Sequence, residues 1–167
     1  HAAAGKSAAS STLWVMRNCA AQSSGTFMTI SPAPAIEIAI RARYAETDAM
    51  GVVHHASYIV WLEEGRTELL RALGSPYREL EAAGYFVMLT DLQARYLAPA
   101  RYDDRVIVRA ELAALRSRQI SFAYALRLAE SGELLLTARS EHVLVARATG
   151  RPSRFPAAML AALQQRP

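Results

Sequence analysis

Apolar and polar residues alternate from Ile36 onward. Ile36, Ile38, Ile40, Ala42 and Tyr44 share one parity, and Glu37, Ala39, Arg41 and Arg43 share the other. A repeat of two puts successive side chains on opposite faces, so the stretch predicts a half-buried strand whose end delivers Tyr44, Glu46 and Asp48. Gly51 then permits a sharp turn. From about Ser57 the spacing becomes that of Ile59, Leu62, Leu69, Leu70 and Leu73, which predicts a helix of about four turns stopped at Gly74-Ser-Pro76. A short second helix is expected over 77–84, with Gly84 at its C-cap.

Four extended segments follow, at 86–97, 105–115, 117–129 and 134–146. They are separated by turn-forming stretches at Ala98-Pro-Ala100 with Asp103-Asp104, at Arg116, and at Glu130-Ser-Gly-Glu133. In the third, Ile120, Phe122, Tyr124, Leu126 and Leu128 fall on one face. Strands joined in sequence by short turns imply an antiparallel meander, and a long helix with one apolar stripe must bury that stripe against the sheet. The expected class is α+β, with a five-stranded antiparallel sheet wrapped around one long helix. The domain is expected over 36–150. Residues 1–35, rich in Ala, Ser, Gly and Pro, are expected to be a disordered extension of tag or leader character, and 151–167 a tail with a short helix over 157–165.

Composition narrows the function. The chain of 167 residues is 52% hydrophobic and 20% charged, with a formal net charge of +4 carried almost wholly by arginine. Arginine captures phosphate and carboxylate bidentately, which favours an anionic ligand. No basic run is interleaved with aromatics in the manner of a nucleic-acid platform, so nucleic acid is not an expected partner. Cys19 is the only cysteine, which excludes an intrachain disulfide and makes a reducing, cytoplasmic setting the default. No apolar run reaches the roughly 20 residues of a membrane span, so stable membrane insertion is not expected either.

The densest chemistry lies in Tyr44-Ala-Glu-Thr-Asp-Ala-Met-Gly-Val-Val-His-His-Ala-Ser-Tyr58, at the junction of strand and helix. Asp48 suits a general base or a nucleophile. Unpaired N–H groups of Val53, His54 and His55 at the helix start suit an oxyanion hole. A histidine such as His55 can move a proton near neutral pH, and Tyr44 can donate a hydrogen bond. Adjacent histidines diverge and the zinc-helix spacing is absent, so no metal is expected. Glu63 and Glu64 lie mid-helix, where solvation or pairing with Arg66 or Arg71 is their ordinary role.

The segment ETDAMGVVHHASYIVWLEEGRTELLR, with Phe86-Val-Met and Tyr96-Leu-Ala-Pro-Ala-Arg-Tyr-Asp-Asp104 after it, resembles the hotdog-fold acyl-CoA thioesterases of the 4-hydroxybenzoyl-CoA thioesterase type. Within them it is most similar to the small bacterial enzymes associated with the Tol–Pal envelope system. Their signature is Asp-Thr-Asp, two residues, Gly-Val-Val-Tyr-His-Ala, then Tyr. Here Glu46 stands at the first acidic position and His54 at the tyrosine before the histidine. The resemblance covers roughly 36–150.

The resemblance implies hydrolysis of acyl-CoA to free acid and CoA without a cofactor. It implies catalysis by Asp48, supported by His55 and Tyr44, with the oxyanion donor at the amide around His55. Gly51, Val53, His54 and Tyr58 of the signature would border the substrate. Arg116, Ser117 and Arg118, with Arg151 and Arg154, are the candidate phosphate contacts. The acyl pocket is expected beside the helix and the 86–92 strand. Hotdog subunits pair edge to edge, so a homodimer or homotetramer is implied. The rivals are a hotdog hydratase or dehydratase, and a noncatalytic module binding acyl thioesters or docking an acyl carrier protein.

Overall fold

The computed structural model describes residues 33–164; the extension expected over 1–35 lies, up to residue 32, outside them. Strand β1 is Ala35–Arg41, and its isoleucines are half-buried while Glu37, Ala39 and Arg41 face out. It stops at Arg41 because its partner begins there: Arg41 pairs with Arg105, and Ala42 N–H closes on Asp104 O at 2.9 Å. Beyond Ala42 the alternation has no strand to lie against. A single 3₁₀ turn, Tyr44–Glu46, takes its place.

Helix α1 runs His55–Ala72 and buries Tyr58, Trp61, Leu62, Gly65, Leu69 and Leu70. That stripe follows the three-and-four spacing of one helix face. Ile59, expected in it, is 38% exposed and sits at its edge. Gly65 is where the helix comes closest to the sheet. A Cβ there would lie 3.0 Å from Val108 Cγ1 and 3.3 Å from Ala110 Cβ, so the glycine gives up about 1 kcal/mol of helix propensity to allow contact.

After α2 (Tyr77–Ala82) come β2 (Tyr85–Tyr96), β3 (Arg105–Leu115), β4 (Gln119–Leu128) and β5 (Leu134–Ala146). The strand order is β1-β3-β4-β5-β2, antiparallel throughout. The five-stranded sheet curled on one helix is as expected, and it is the hotdog arrangement. The meander holds only for β3–β4–β5. Strand β2 skips β3 and pairs with β5, Tyr85 opposite Ala146 and Tyr96 opposite Leu136. Register shifts at Leu89/Asp91, Leu112/Ala114 and Leu126/Arg127 add the local twist that lets a sheet curl. A two-residue β6, Arg151–Pro152, adds to β5, and α3 (Ala157–Gln164) follows. The C-terminal segment belongs to the same core, where Phe155, Met159 and Leu163 are buried. None of the described helices is long and apolar enough to cross a membrane.

Candidate active site

The turn between β1 and α1 is held by its own backbone. Thr47 bridges to Val53, Asp48 N–H donates to Val52 O at 2.9 Å, and Gly51 N–H donates to Asp48 O at 2.9 Å. Gly51 has φ +72°, the left-handed region a glycine enters without cost. Met50 N–H donates to Asp48 Oδ1 at 2.8 Å. Among the described residues no bond is made to Oδ2, which leaves that oxygen for a water or a substrate carbon.

The helix start is more selective than the sequence implies. Of the three candidate amides, two are already used: Val53 N–H donates to Ala100 O and His54 N–H to Glu46 O, both at 2.8 Å. Neither can serve as an oxyanion donor. His54 is the N-cap, its Nδ1 accepting from Ala56 N–H at 3.2 Å, so the histidine at the signature's tyrosine position closes the helix start with an exposed ring. Among the described residues His55 N–H has no partner, as the first N–H of a helix generally does not. One amide therefore remains, on the turn next to Asp48.

Glu46 braces this arrangement. It is 7% exposed and accepts from Arg43 N–H at 2.8 Å, Arg43 Nη2 at 2.8 Å and Trp61 Nε1 at 3.0 Å. Burial works against its charge, but the bonds from Arg43 and Trp61 outweigh it and hold the carboxyl below the usual glutamate range. Its carbonyl also takes Ser57 Oγ at 3.3 Å as well as His54 N–H. The side chain grips the helix interior while the backbone grips the helix start.

Three expected contacts fall elsewhere. Tyr44 is 78% exposed and meets Tyr102 edge-on at 5.7 Å, with no hydrogen bond to Asp48 or His55 among the described residues. The strand that would have turned it inward has already ended. Tyr58 is buried, and its hydroxyl accepts from Ala100 N–H at 2.8 Å; it ties α1 to the 97–104 loop and does not line an open site. Arg116, Ser117 and Arg118 form the β3–β4 turn, at the far end of β3 from the Asp104–Ala42 junction. Eleven residues of strand, at about 3.3 Å each, separate them from Asp48 within one chain.

Other residues occupy the neighbourhood instead. Arg101 reaches the turn through Gly51 O at 3.4 Å. The Tyr96 hydroxyl donates to His55 O at 3.0 Å and its ring packs on Tyr58, so β2 is pinned to the helix start. The His55 ring lies 4.0 Å from that of His54 and is exposed. Glu63 lies 4.0 Å from Arg66, and Arg71 pairs with Glu68. A cavity of about 90 Å³ lies beside Ile59, Leu62, Leu89 and Leu92, next to the helix and the 86–92 strand.

Comparison with known proteins bears on the same residues. A family model of the thioesterase-like superfamily matches residues 42–163. An acyl-CoA thioester hydrolase of Escherichia coli is 32% identical over 126 residues, 75% of this chain and 93% of that one. An acyl-CoA thioesterase of Haemophilus influenzae is 34% identical over 125 residues, 74% and 90% of the two chains. The crystal structure of a DHNA-CoA thioesterase from Staphylococcus aureus superposes with TM-score 0.73 at 30% identity, covering 77% of this chain and 87% of the other. With the curled sheet, the central helix and the acidic turn before it all accounted for, the chain belongs to the thioesterase-like superfamily.

Proposed function

We propose that the protein is an acyl-CoA thioesterase, releasing free acid and CoA. The observation that carries this is the pairing, on one braced turn, of Asp48 with the single unengaged amide at the start of α1. A thioester carbonyl set against His55 N–H has its developing negative charge met by a fixed dipole at the positive end of a helix. Asp48 Oδ2 then either takes a proton from an attacking water or attacks the carbonyl itself; in the second case a mixed anhydride forms and water hydrolyses it. The CoA thiolate leaves in both. The names of the E. coli and H. influenzae relatives support acyl-CoA as the substrate class. Arg101, beside the turn, is the cation we assign to the CoA phosphates.

The reading includes a dimer and a cytoplasmic setting, the latter supported by Cys19 standing alone in the chain. The two edges of the sheet differ. Strand β1 presents Glu37 and Arg41, whereas β2 exposes Phe86, Met88 and Leu89 within an uncharged run of six residues, 85–90. A long uncharged edge is a pairing surface unless it is covered, so β2 is the edge we assign to a second copy. The test of the hydrolytic reading is a panel of acyl-CoAs with thiol detection, run on the native protein and on Asp48→Asn. A loss of about 10²-fold or more is expected for removal of a base; equal rates in the two proteins would overturn the assignment.

A further inference from the structure

The interior of the sheet holds a run of polar groups that thioester cleavage does not use. Tyr124 and Ser140 share a hydrogen bond of 2.9 Å, and His142 Nε2 lies 2.9 Å from the same Ser140 hydroxyl. All three are buried. Arg66 of α1 faces Tyr124, and its Nε donates to the Tyr77 hydroxyl at 2.7 Å. The Arg66 side chain is only 13% exposed, and the one carboxylate within ion-pair reach among the described residues is Glu63, at 4.0 Å and mostly in solvent. Arg66, Tyr124 and Ser140, with Glu63 at the solvent side, supply the polar wall of the 90 Å³ cavity, and Ile59, Leu62, Leu89 and Leu92 the apolar lining.

Proton accounting shows what this wall lacks. A guanidinium has five N–H donors and no acceptor, and the Nε–H goes to Tyr77. If His142 donates from Nε2, the Ser140 proton goes to the Tyr124 oxygen and the Tyr124 proton has nowhere to go but the cavity, since Arg66 cannot accept it. If His142 accepts at Nε2, its Nδ1–H is the group left buried without a partner, and Arg66 still has N–H groups to spare. In both arrangements the wall has donors in excess. Arg66 has only a distant, solvated carboxylate as its ion partner, so a further acceptor beside it is favourable, and a cavity of this size holds on the order of three waters, at about 30 Å³ each, or the end of a chain.

The cavity is also on the path from the reacting carbon. His55, Ile59, Leu62 and Arg66 descend one side of α1, and a long helical side chain leans toward the N-terminus. The cavity lining therefore spans the helix from Ile59, about 6 Å along the axis from His55, to Arg66, about 16–17 Å from it, at 1.5 Å per residue. Strand β2 runs beside it, from Tyr96 at His55 to Leu92 and Leu89 at the cavity. An extended acyl chain of medium length reaches the lining between Ile59 and Arg66.

We propose that this cavity receives the far end of the acyl group and selects chains whose end carries a hydrogen-bond-accepting oxygen, a carboxylate or a hydroxyl, held by Arg66 and Tyr124. The inference rests on the acyl-CoA reading, and its test is kept separate from catalysis. Calorimetric affinities are measured for S-octyl-CoA and its ω-hydroxy and ω-carboxy derivatives, thioethers that no hydrolase cleaves, on the native protein and on Tyr124→Phe. An oxygen-tipped chain is expected to bind about 10-fold or more tightly than the methyl-tipped one, because a site built for a polar group rejects the analogue that lacks it. Tyr124→Phe is expected to cut that ratio by about 3-fold or more. If S-octyl-CoA binds as tightly as both oxygen-tipped chains, or if none of the three binds, the inference is overturned. Discrimination between tips with no thiol released from any acyl-CoA would overturn the hydrolytic reading alone.

Discussion

Replacing Glu46 by glutamine removes one charge and one acceptor from the brace beneath the Asp48 turn and changes little else in volume. Three donors converge on the native carboxylate, from Arg43 N–H, Arg43 Nη2 and Trp61 Nε1. An amide meets them with one oxygen and one NH₂, so at least one donor faces another donor. Hydrogen bonds to a charged group contribute about 1.5–3 kcal/mol, and a buried group left unsatisfied costs about 1–3 kcal/mol. Stability at neutral pH is expected to fall by about 2–3 kcal/mol, a drop in Tm of roughly 4–12 °C for a chain of this size.

The pH dependence gives this prediction its sharpest form. The folded-state pKa of Glu46 is lowered, so the unfolded chain takes up the proton first as the medium acidifies. The stabilisation is fully present above the ordinary glutamate range and is lost as pH falls through the folded value. Glutamine has nothing to lose there, so the gap between the two proteins narrows in acid. Urea unfolding at neutral pH and below the glutamate range measures it. A double-mutant cycle with Trp61→Phe isolates the indole bond, for which a coupling of about 1 kcal/mol is expected. A gap that stays constant in acid, or a loss within about 0.5 kcal/mol, would refute the brace.

Gly65→Ala places a methyl against Val108 and Ala110 and is expected to destabilise by about 1–3 kcal/mol despite the better helix propensity of alanine; an increase in Tm would contradict the close approach. Burial, with Arg66 adding to it, lowers the His142 pKa to about 4. Between the ordinary histidine value and that one the unfolded chain binds the extra proton, so stability is lost as the pH is lowered through this window, by about 3 kcal/mol in all, and His142→Phe should flatten that part of a stability-against-pH curve. Leu89→Lys puts a charge on the β2 edge and is expected to shift sedimentation from dimer toward monomer; an unchanged oligomer would place the interface elsewhere.

Much of this was legible in the chain because it is local. The limits of β3 and β5, the end of α1 near Gly74, and the turn at Gly51 all follow from periodicity and turn chemistry within a dozen residues. What was not legible depends on partners far away in sequence. Tyr44 keeps the parity of β1, but whether it lies on a strand depends on where β3 begins, some sixty residues later. The amides of Val53 and His54 look free until Ala100 O and Glu46 O arrive. The polar wall is assembled from α1, β4 and β5, and no spacing in any one segment announces it. Glu46 was legible as an acid near the site, but its role as a brace depends on Trp61, an ordinary core residue in the sequence.

The strand order has a consequence for how the chain reaches this state. Strands β3, β4 and β5 are joined by short turns and can pair as they are made. By contrast, β1 finds Glu111 from Ala35, and β2 finds Ala146 from Tyr85. The first half of the domain, including the turn that carries Asp48, is synthesised early and docks late, since non-local pairing must wait for its partner and is slow. During that interval the uncharged β2 run and the apolar stripe of α1 are both uncovered on a growing chain, the circumstance in which aggregation competes with folding. Translation speed and chaperone supply across the β3–β5 region are therefore expected to govern the yield of active protein more than the stability of the finished fold does.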